Sequence, residues 1–297
     1  MSDHARILVT SALPYANGPI HLGHLAGAYL PADVFVRYHR LRGSDVVYIC
    51  GSDEHGSAIV MRSIKDGVTP QEIVDRYHAM AETDFAAFGM SFDRTSGPMH
   101  RETARDWFRK MAEQGDFVLQ KGEHLFDPEV KLFLADRFVV GTCPHCKNPN
   151  AYGDQCEKCG NTLTAKELIE PRSTLSDATP EWRETTNWAL DLGAHQPWLE
   201  SWIGEKTHWK SNVLGQIQSW FKAGLGPREQ TRDLPWGVPV PEDVAEAAGV
   251  DAEGKVLYVW FDAPIGYVSA TREWAEKVGD AERWKTYWQS EDTRLIH

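Results

Sequence analysis

The sequence predicts an α/β protein: a Rossmann-like parallel sheet, interrupted by an inserted block that carries cysteines. Three observations predict it. An apolar run, a long helical stretch and a second apolar run open the chain; four cysteines cluster near its middle; a strand-like run then returns at Val256. Ile7, Leu8 and Val9 have no helical period and read as a buried strand. A loop from Ser11 to Ile20 holds Pro14, Asn17, Gly18 and Pro19. His21 to Arg42 reads as one long helix stopped by Gly43. Pro31 lies inside it, and its ring is expected to kink the helix at the carbonyl of Gly27. Val46 to Cys50 is a second β-branched apolar run. Strand, helix and strand make a βαβ unit, hence a parallel pair with a right-handed crossover.

The next loop is GSDEHG, Gly51 to Gly56, followed by a short helix to about Asp66. Thr69-Pro70-Gln71-Glu72 is a capping box with proline at the first helical position, opening a helix that runs to Gly89. A further helix covers about Arg101 to Gln114, with Ala104, Trp107, Phe108 and Met111 on its buried side. Residues 1–115 therefore read as half of a doubly wound domain. Residues 116–235 form the insertion. It starts with short segments and glycines, then turns helical from Glu181 to Phe221, where Trp182, Trp188, Trp198, Trp202, Trp209 and Trp220 serve as packing anchors. Residues 236–297 resume the sheet, with a strand over Val256 to Phe261, a helix to about Gly279 and a last apolar strand at Arg294 to His297.

Composition excludes several classes. With 31 Lys or Arg and 43 Asp or Glu the formal charge is −12, so any RNA contact must be a local basic patch. The chain is 42% hydrophobic and 25% charged, well above disordered composition. No run of about 18 apolar residues exists to span a bilayer, and the first residues lack a secretory profile. Five cysteines, four of them clustered, suit a reducing cytoplasm and a metal better than disulfides.

Three places can carry chemistry. Cys143, Cys146, Cys156 and Cys159 form C-x2-C-x9-C-x2-C, two hairpins that present four thiolates to one structural zinc ion; an iron–sulfur centre is second. Gly153 and Gly160 suit turns of positive φ in these knuckles. His21-Leu22-Gly23-His24 lies at the start of the first crossover helix, where free N–H groups and the helix dipole favour phosphate. A capping histidine beside a surface histidine explains this pair equally well. G-x-G-x-x-G is absent, which disfavours a dinucleotide oxidoreductase. Asp53 follows the second strand at the same sheet edge, placed to hold a substrate ammonium. Neighbouring Glu54 and His55 do not converge with it on one ion, and Glu54 reads as a cap of the next helix.

Together these residues resemble the methionyl-tRNA synthetase family of class I aminoacyl-tRNA synthetases, over essentially the whole chain. Ala12-Leu13-Pro14-Tyr15-Ala16-Asn17-Gly18 with His21-Leu22-Gly23-His24 looks like the family's opening and its HIGH motif. Cys50 to Gly56 resembles its amino-acid loop, and the paired knuckles fall where its connective domain carries them. Tyr258 to Tyr267 resembles the segment that closes its methionine pocket. The resemblance implies a class I synthetase sheet with a zinc-binding connective domain. It implies ATP with Mg2+ at Tyr15, Asn17, Gly18, His21, Gly23 and His24, the two histidines being catalytic. Methionine would then lie among Ala12, Leu13, Tyr15, Asp53, Trp260, Ala263, Pro264 and Tyr267. Aromatic groups suit a thioether, at about 0.3–1.5 kcal/mol per sulfur contact.

The resemblance also implies methionyl-adenylate formation and transfer of methionine to its tRNA. The family's second ATP motif, KMSKS, and its anticodon-binding domain have no counterpart in these residues. The expectation is therefore an N-terminal portion of a larger enzyme, with little activity on its own and its tRNA contacts mainly elsewhere. Two rivals remain: a sister synthetase for another hydrophobic amino acid, and a non-catalytic nucleotide- and zinc-binding module. Oligomeric state is not legible.

Overall fold

The computed structural model describes residues 6–93, 98–134, 138–153, 155–161, 163–176, 178–207 and 209–297. The chain divides into two compact units. One comprises 1–109, 236–241 and 256–297, the other 110–235 and 242–255.

The first unit opens with β1 (Arg6–Thr10), whose four buried residues confirm the apolar run as a strand. The crossover follows as α1 (Leu22–His24), a π-helical turn over Leu25–Tyr29, and α2 (Leu30–Leu41). The expected kink is thus a widening. The Leu30 N–H reaches back to Leu25 O, so the hydrogen-bond register changes just before Pro31, which has no N–H to offer. Then come β2 (Asp45–Ile49), α3 (Ser57–Asp66), α4 (Pro70–Ala87) and α5 (Met99–Gln114). The capping box is present: Glu72 N–H donates to Thr69 Oγ1 at 3.2 Å, and Thr69 N–H donates to Glu72 Oε2 at 2.8 Å. Thr69→Ala should cost about 1 kcal/mol, read as the shift in a urea unfolding midpoint. On α5, Ala104 and Phe108 are buried as expected, whereas Trp107 is exposed.

The second unit contains β3 (Phe117–Asp127), β4 (Leu132–Phe133), β5 (Val139–Thr142), β6 (Ala151–Tyr152), β7 (Ile169–Ser173) and β8 (Glu181–Leu190). After them come α6 (Leu192–Gly204), α7 (Ser211–Ala223), β9 (Arg228–Glu229), β10 (Thr231–Asp233) and α8 (Glu242–Ala248). A four-stranded sheet runs β4-β3-β8-β9, and a small sheet runs β6-β5-β7. The helix expected from Glu181 begins only at Leu192, because Glu181–Leu190 pairs antiparallel with all but the last residue of β3. Local composition agrees only toward the C-terminal half, where Thr185-Thr186 is β-branched and Asn187, Trp188 and Ala189 are buried in succession. Of the tryptophans, Trp188 is buried on β8. Trp198 and Trp202 stack face to face at 6.1 Å on an exposed side of α6.

The chain returns through β11 (Lys255–Leu257) to α9 (Val259–Lys277), α10 (Arg283–Trp288) and β12 (Thr293–Ile296). The strand expected over Val256 to Phe261 is therefore shorter, and Val259 opens a helix instead. Parallel β12-β1-β2 is the sheet of the first unit. Its two faces separate by residue parity. Leu8, Val47 and Ile49 pack with Ala270, Trp274 and Tyr287 of α9 and α10; Ile7, Val9, Val46 and Tyr48 pack with Val36 of α2. Helices cover both faces, as a doubly wound sheet requires. Among the described residues, no helix is long and apolar enough to cross a membrane.

Candidate active site and metal centre

The loops that leave β1 and β2 are tied together beyond the sheet. Asp53 N–H donates to Pro14 O at 2.8 Å, Ala16 N–H donates to Asp53 O at 2.9 Å, and Tyr15 bridges Asp53 in parallel register. The carboxyl edge of the sheet is therefore one continuous platform, where α/β proteins place their ligands.

His21 caps the crossover helix. Its Nδ1 accepts the N–H of Gly23 at 3.1 Å and of His24 at 3.4 Å, while His24 Nδ1 accepts the His21 N–H at 3.3 Å. The two rings stack at 3.7 Å. Because both Nδ1 atoms accept, both protons reside on Nε2, and the pair offers N–H donors beside the helix start. The pKa of His24 is lowered by burial and then by the charge of His21. A Cβ on Gly23 would lie 3.0 Å from the His21 ring, so any larger residue would push the imidazole off its cap. The structure thus shows the capping arrangement for this histidine pair. Gly18 has nothing within 4 Å of a would-be Cβ, Asn17 accepts from Arg62 through its carbonyl, and Ala12 O accepts from the Tyr29 hydroxyl.

Asp53 is buried and lines a cleft with Leu13, His55, His100, Asp262 and Ala263. Its pKa is pushed up to about 8, first by burial and then by the charge of Asp262. The Tyr267 pKa is also raised, to about 12, chiefly by burial. Gly266 keeps Leu13 close, at 3.3 Å from a would-be Cβ. The cleft thus unites Leu13, Asp53 and Ala263 from the expected set, with Tyr15 alongside. Trp260 is 66% exposed and Pro264 is exposed, both on the first turns of α9 and outside the cleft lining. Glu54 takes a hydrogen bond from the Ser52 hydroxyl and lies 3.6 Å from His78. It does not cap α3, whose N-cap is Gly56 at φ 93°.

His55, His100 and Asp262 had no role in the sequence. His55 Nδ1 and Asp262 Oδ2 are 2.6 Å apart, and His100 Nε2 is 3.8 Å from the same oxygen. One signal existed: an aspartate inside the apolar run Val256 to Tyr267, where a carboxylate must find partners or stay neutral.

In the second unit the two knuckles repeat one turn. Cys143 N–H donates to Asn148 O and Lys147 N–H donates to Cys143 O; Cys156 with Asn161, and Gly160 with Cys156, repeat the pattern. The shared positive-φ position is Gly160 in one knuckle and Lys147 in the other. Gly153 donates instead to Val139 O of β5. Cys143 and Cys159 Sγ lie 3.9 Å apart, Cys146 and Cys156 Sγ 3.6 Å. Tetrahedral zinc at about 2.3 Å from each sulfur sets neighbouring sulfurs about 3.8 Å apart. The four sulfurs fit a structural zinc ion. The Cys156 thiol is pulled down, first by the Cys159 N–H and further by Asn148, toward the thiolate that a metal needs. Cys50 is buried in the other unit, its thiol raised to about 12 by burial.

The family model described as tRNA synthetases class I (M) matches residues 7–297. The chain belongs to that family. This class I (M) chain is 62% identical over 295 residues to the methionine–tRNA ligase of Salinibacter ruber, covering 98% of the chain and 41% of that protein. It is 55% identical over 296 residues to the methionine–tRNA ligase of Chlorobaculum tepidum, again covering 98% and 41%. The chain spans about two-fifths of the length of these curated relatives. A solved structure, Mycobacterium tuberculosis methionyl-tRNA synthetase in complex with methionyl-adenylate, superposes with a TM-score of 0.67. It is 21% identical, with 98% of this chain and 51% of that one covered. That likeness establishes the shared fold.

Proposed function

We propose that the chain carries the amino-acid-activating site of a cytoplasmic methionine–tRNA ligase. The observation that supports it best is the tied platform at the sheet edge, which joins the loop leading to the stacked His21 and His24 directly to Asp53. The carboxylate of L-methionine attacks the α-phosphate of ATP, an oxygen–phosphorus bond forms, and pyrophosphate leaves with Mg2+. No side-chain nucleophile is needed, so the residues act by position and charge. His21 and His24 donate Nε2–H to phosphate oxygens whose charge rises in the transition state. Tyr15, Asn17, Gly18 and Gly23 shape the ATP loop. Asp53 holds the α-ammonium of methionine, and Leu13, Tyr15, Ala263 and Tyr267 make its side-chain site. Ala12, Trp260 and Pro264 are assigned to that site from the family resemblance alone. The second unit corresponds to the zinc-bearing connective domain, and tRNA is the acceptor of the activated methionine.

The test uses the full-length protein. L-methionine at about a hundredfold above its Kd should add about 2.7 kcal/mol, and leucine or isoleucine at equal concentration far less. Equal melting shifts for all three overturn the methionine assignment, and absence of methionine-dependent ATP–pyrophosphate exchange overturns the activity. Gly23→Ala should slow that exchange about ten- to a hundredfold, because it displaces the His21 ring, while leaving methionine binding unchanged.

A further inference from the structure

Asp262 is 1% exposed, yet only one of its carboxylate oxygens is in use. Oδ2 is held by His55 and faces His100, whose other ring nitrogen lies 3.2 Å from the Ser269 hydroxyl. The imidazoles are themselves stacked, 5.9 Å apart. Oδ1 is buried with no hydrogen-bond partner among the described residues. Burial alone would raise the Asp262 pKa, but the polar and charge interactions with His100 and His55 outweigh it and hold the group below the usual carboxylate range. Asp262 is therefore an ionised carboxylate in the wall of the cleft, with one buried oxygen unpaired among the described residues.

The same cleft holds Asp53, and no lysine or arginine lines it. Tyr15, Glu54 and Tyr267 are the other titratable groups that Asp53 faces; none supplies a positive charge. The two buried carboxylates repel each other although His55 and His100 attract Asp262, and an unpaired buried acceptor adds its own desolvation cost. A cation with several N–H donors relieves both. A metal ion fits less well: 2.6 Å between His55 Nδ1 and Asp262 Oδ2 is a hydrogen bond, whereas two ligands on one zinc stay about 3.3 Å apart.

We propose that Asp262 is a second anionic anchor of the amino-acid site, its Oδ1 accepting one N–H of the α-ammonium while Asp53 accepts another. His55 and His100 are the positioning residues that fix Oδ2 and so aim Oδ1. This rests on the assignment of Asp53 to the ammonium, and the two assignments are separable.

Calorimetry on the full-length protein tests it with three probes: L-methionine, methioninol (ammonium kept, carboxylate removed) and 4-(methylthio)butanoate (ammonium removed). D262N is isosteric and should weaken L-methionine and methioninol about 10–100-fold while leaving 4-(methylthio)butanoate as tight or tighter. At pH 7 the wild type should release protons as the ammonium binds, seen by comparing buffers of different ionisation enthalpy. D262N should release fewer, because Asp53 loses its repelling neighbour. H100Q loosens Oδ2 while keeping the Asp262 carboxylate, and it should weaken L-methionine and methioninol but not 4-(methylthio)butanoate; it stands in if D262N does not fold. Unchanged L-methionine affinity in D262N beside a loss in D53N overturns the proposal. Equal loss of all three probes also overturns it, since that is a packing defect. Unchanged affinity in D53N overturns the assignment of Asp53, and the proposal with it.

Discussion

Stripping zinc from the full-length protein with a strong chelator should unfold residues 139–173 and leave the parallel sheet standing. Among its described residues, the knuckle region has little else to hold it. Its sheet joins β5 to β6 by two residue pairs, and the β5–β7 ladder is irregular between Val140 and Thr142. The buried side chains there are few and small, Val139, Ala151, Leu163 and Leu168 beside Cys143 and Cys156. In modules of this kind the metal contributes on the order of 10 kcal/mol of folding free energy. Hydrogen exchange should lose protection at the Cys143 and Cys156 amides, which close the two turns, while β1 and β2 amides stay protected. Metal analysis should return one zinc per chain. Cys156→Ser should reproduce the unfolding, and Cys50→Ser should leave the zinc in place. Protein that contains no zinc, or that keeps its amide protection after chelation, contradicts this assignment.

The knuckles were legible because their chemistry is local: ligand spacing and turn geometry occupy a few residues each. The βαβ opening was legible for a related reason, since two apolar runs around one helix admit a single handed connection. Partner-dependent structure was not. Glu181–Leu190 carries helix-tolerant glutamate and arginine, and pairing with β3 and β9 makes it a strand. Val256 to Phe261 is β-branched and aromatic, yet Tyr258 turns the chain into α9 after three strand residues. At the site, Asp53 could be read from its position after β2, but the His55–Asp262 pair spans 207 residues of sequence. No periodicity carries that information. A carboxylate inside an apolar run signals only that some partner exists.

Asp53→Asn should do two opposite things, abolishing methionine binding while stabilising the ligand-free fold. Removing the anion takes away the ammonium partner, and losing one side of a desolvated charged contact costs about 2–5 kcal/mol. The gain in stability follows from linkage. Burial and Asp262 raise the Asp53 pKa from 3.8 to about 8, so between those values the folded state holds a proton that the unfolded state has lost. Stability due to this group is complete below pH 3.8 and falls as pH rises toward 8. The asparagine variant has no such loss. Its advantage should grow with pH and reach on the order of 5 kcal/mol near pH 8. Urea melts of wild type and variant at pH 5 and pH 8, each with and without L-methionine, measure both effects. The expected pattern is a variant midpoint above wild type at both pH values, by clearly more at pH 8 than at pH 5, and unmoved by methionine at either. A variant less stable at pH 8 than wild type would show that Asp53 is paired as an anion within the fold, and the cleft would then have no site for an ammonium at this residue.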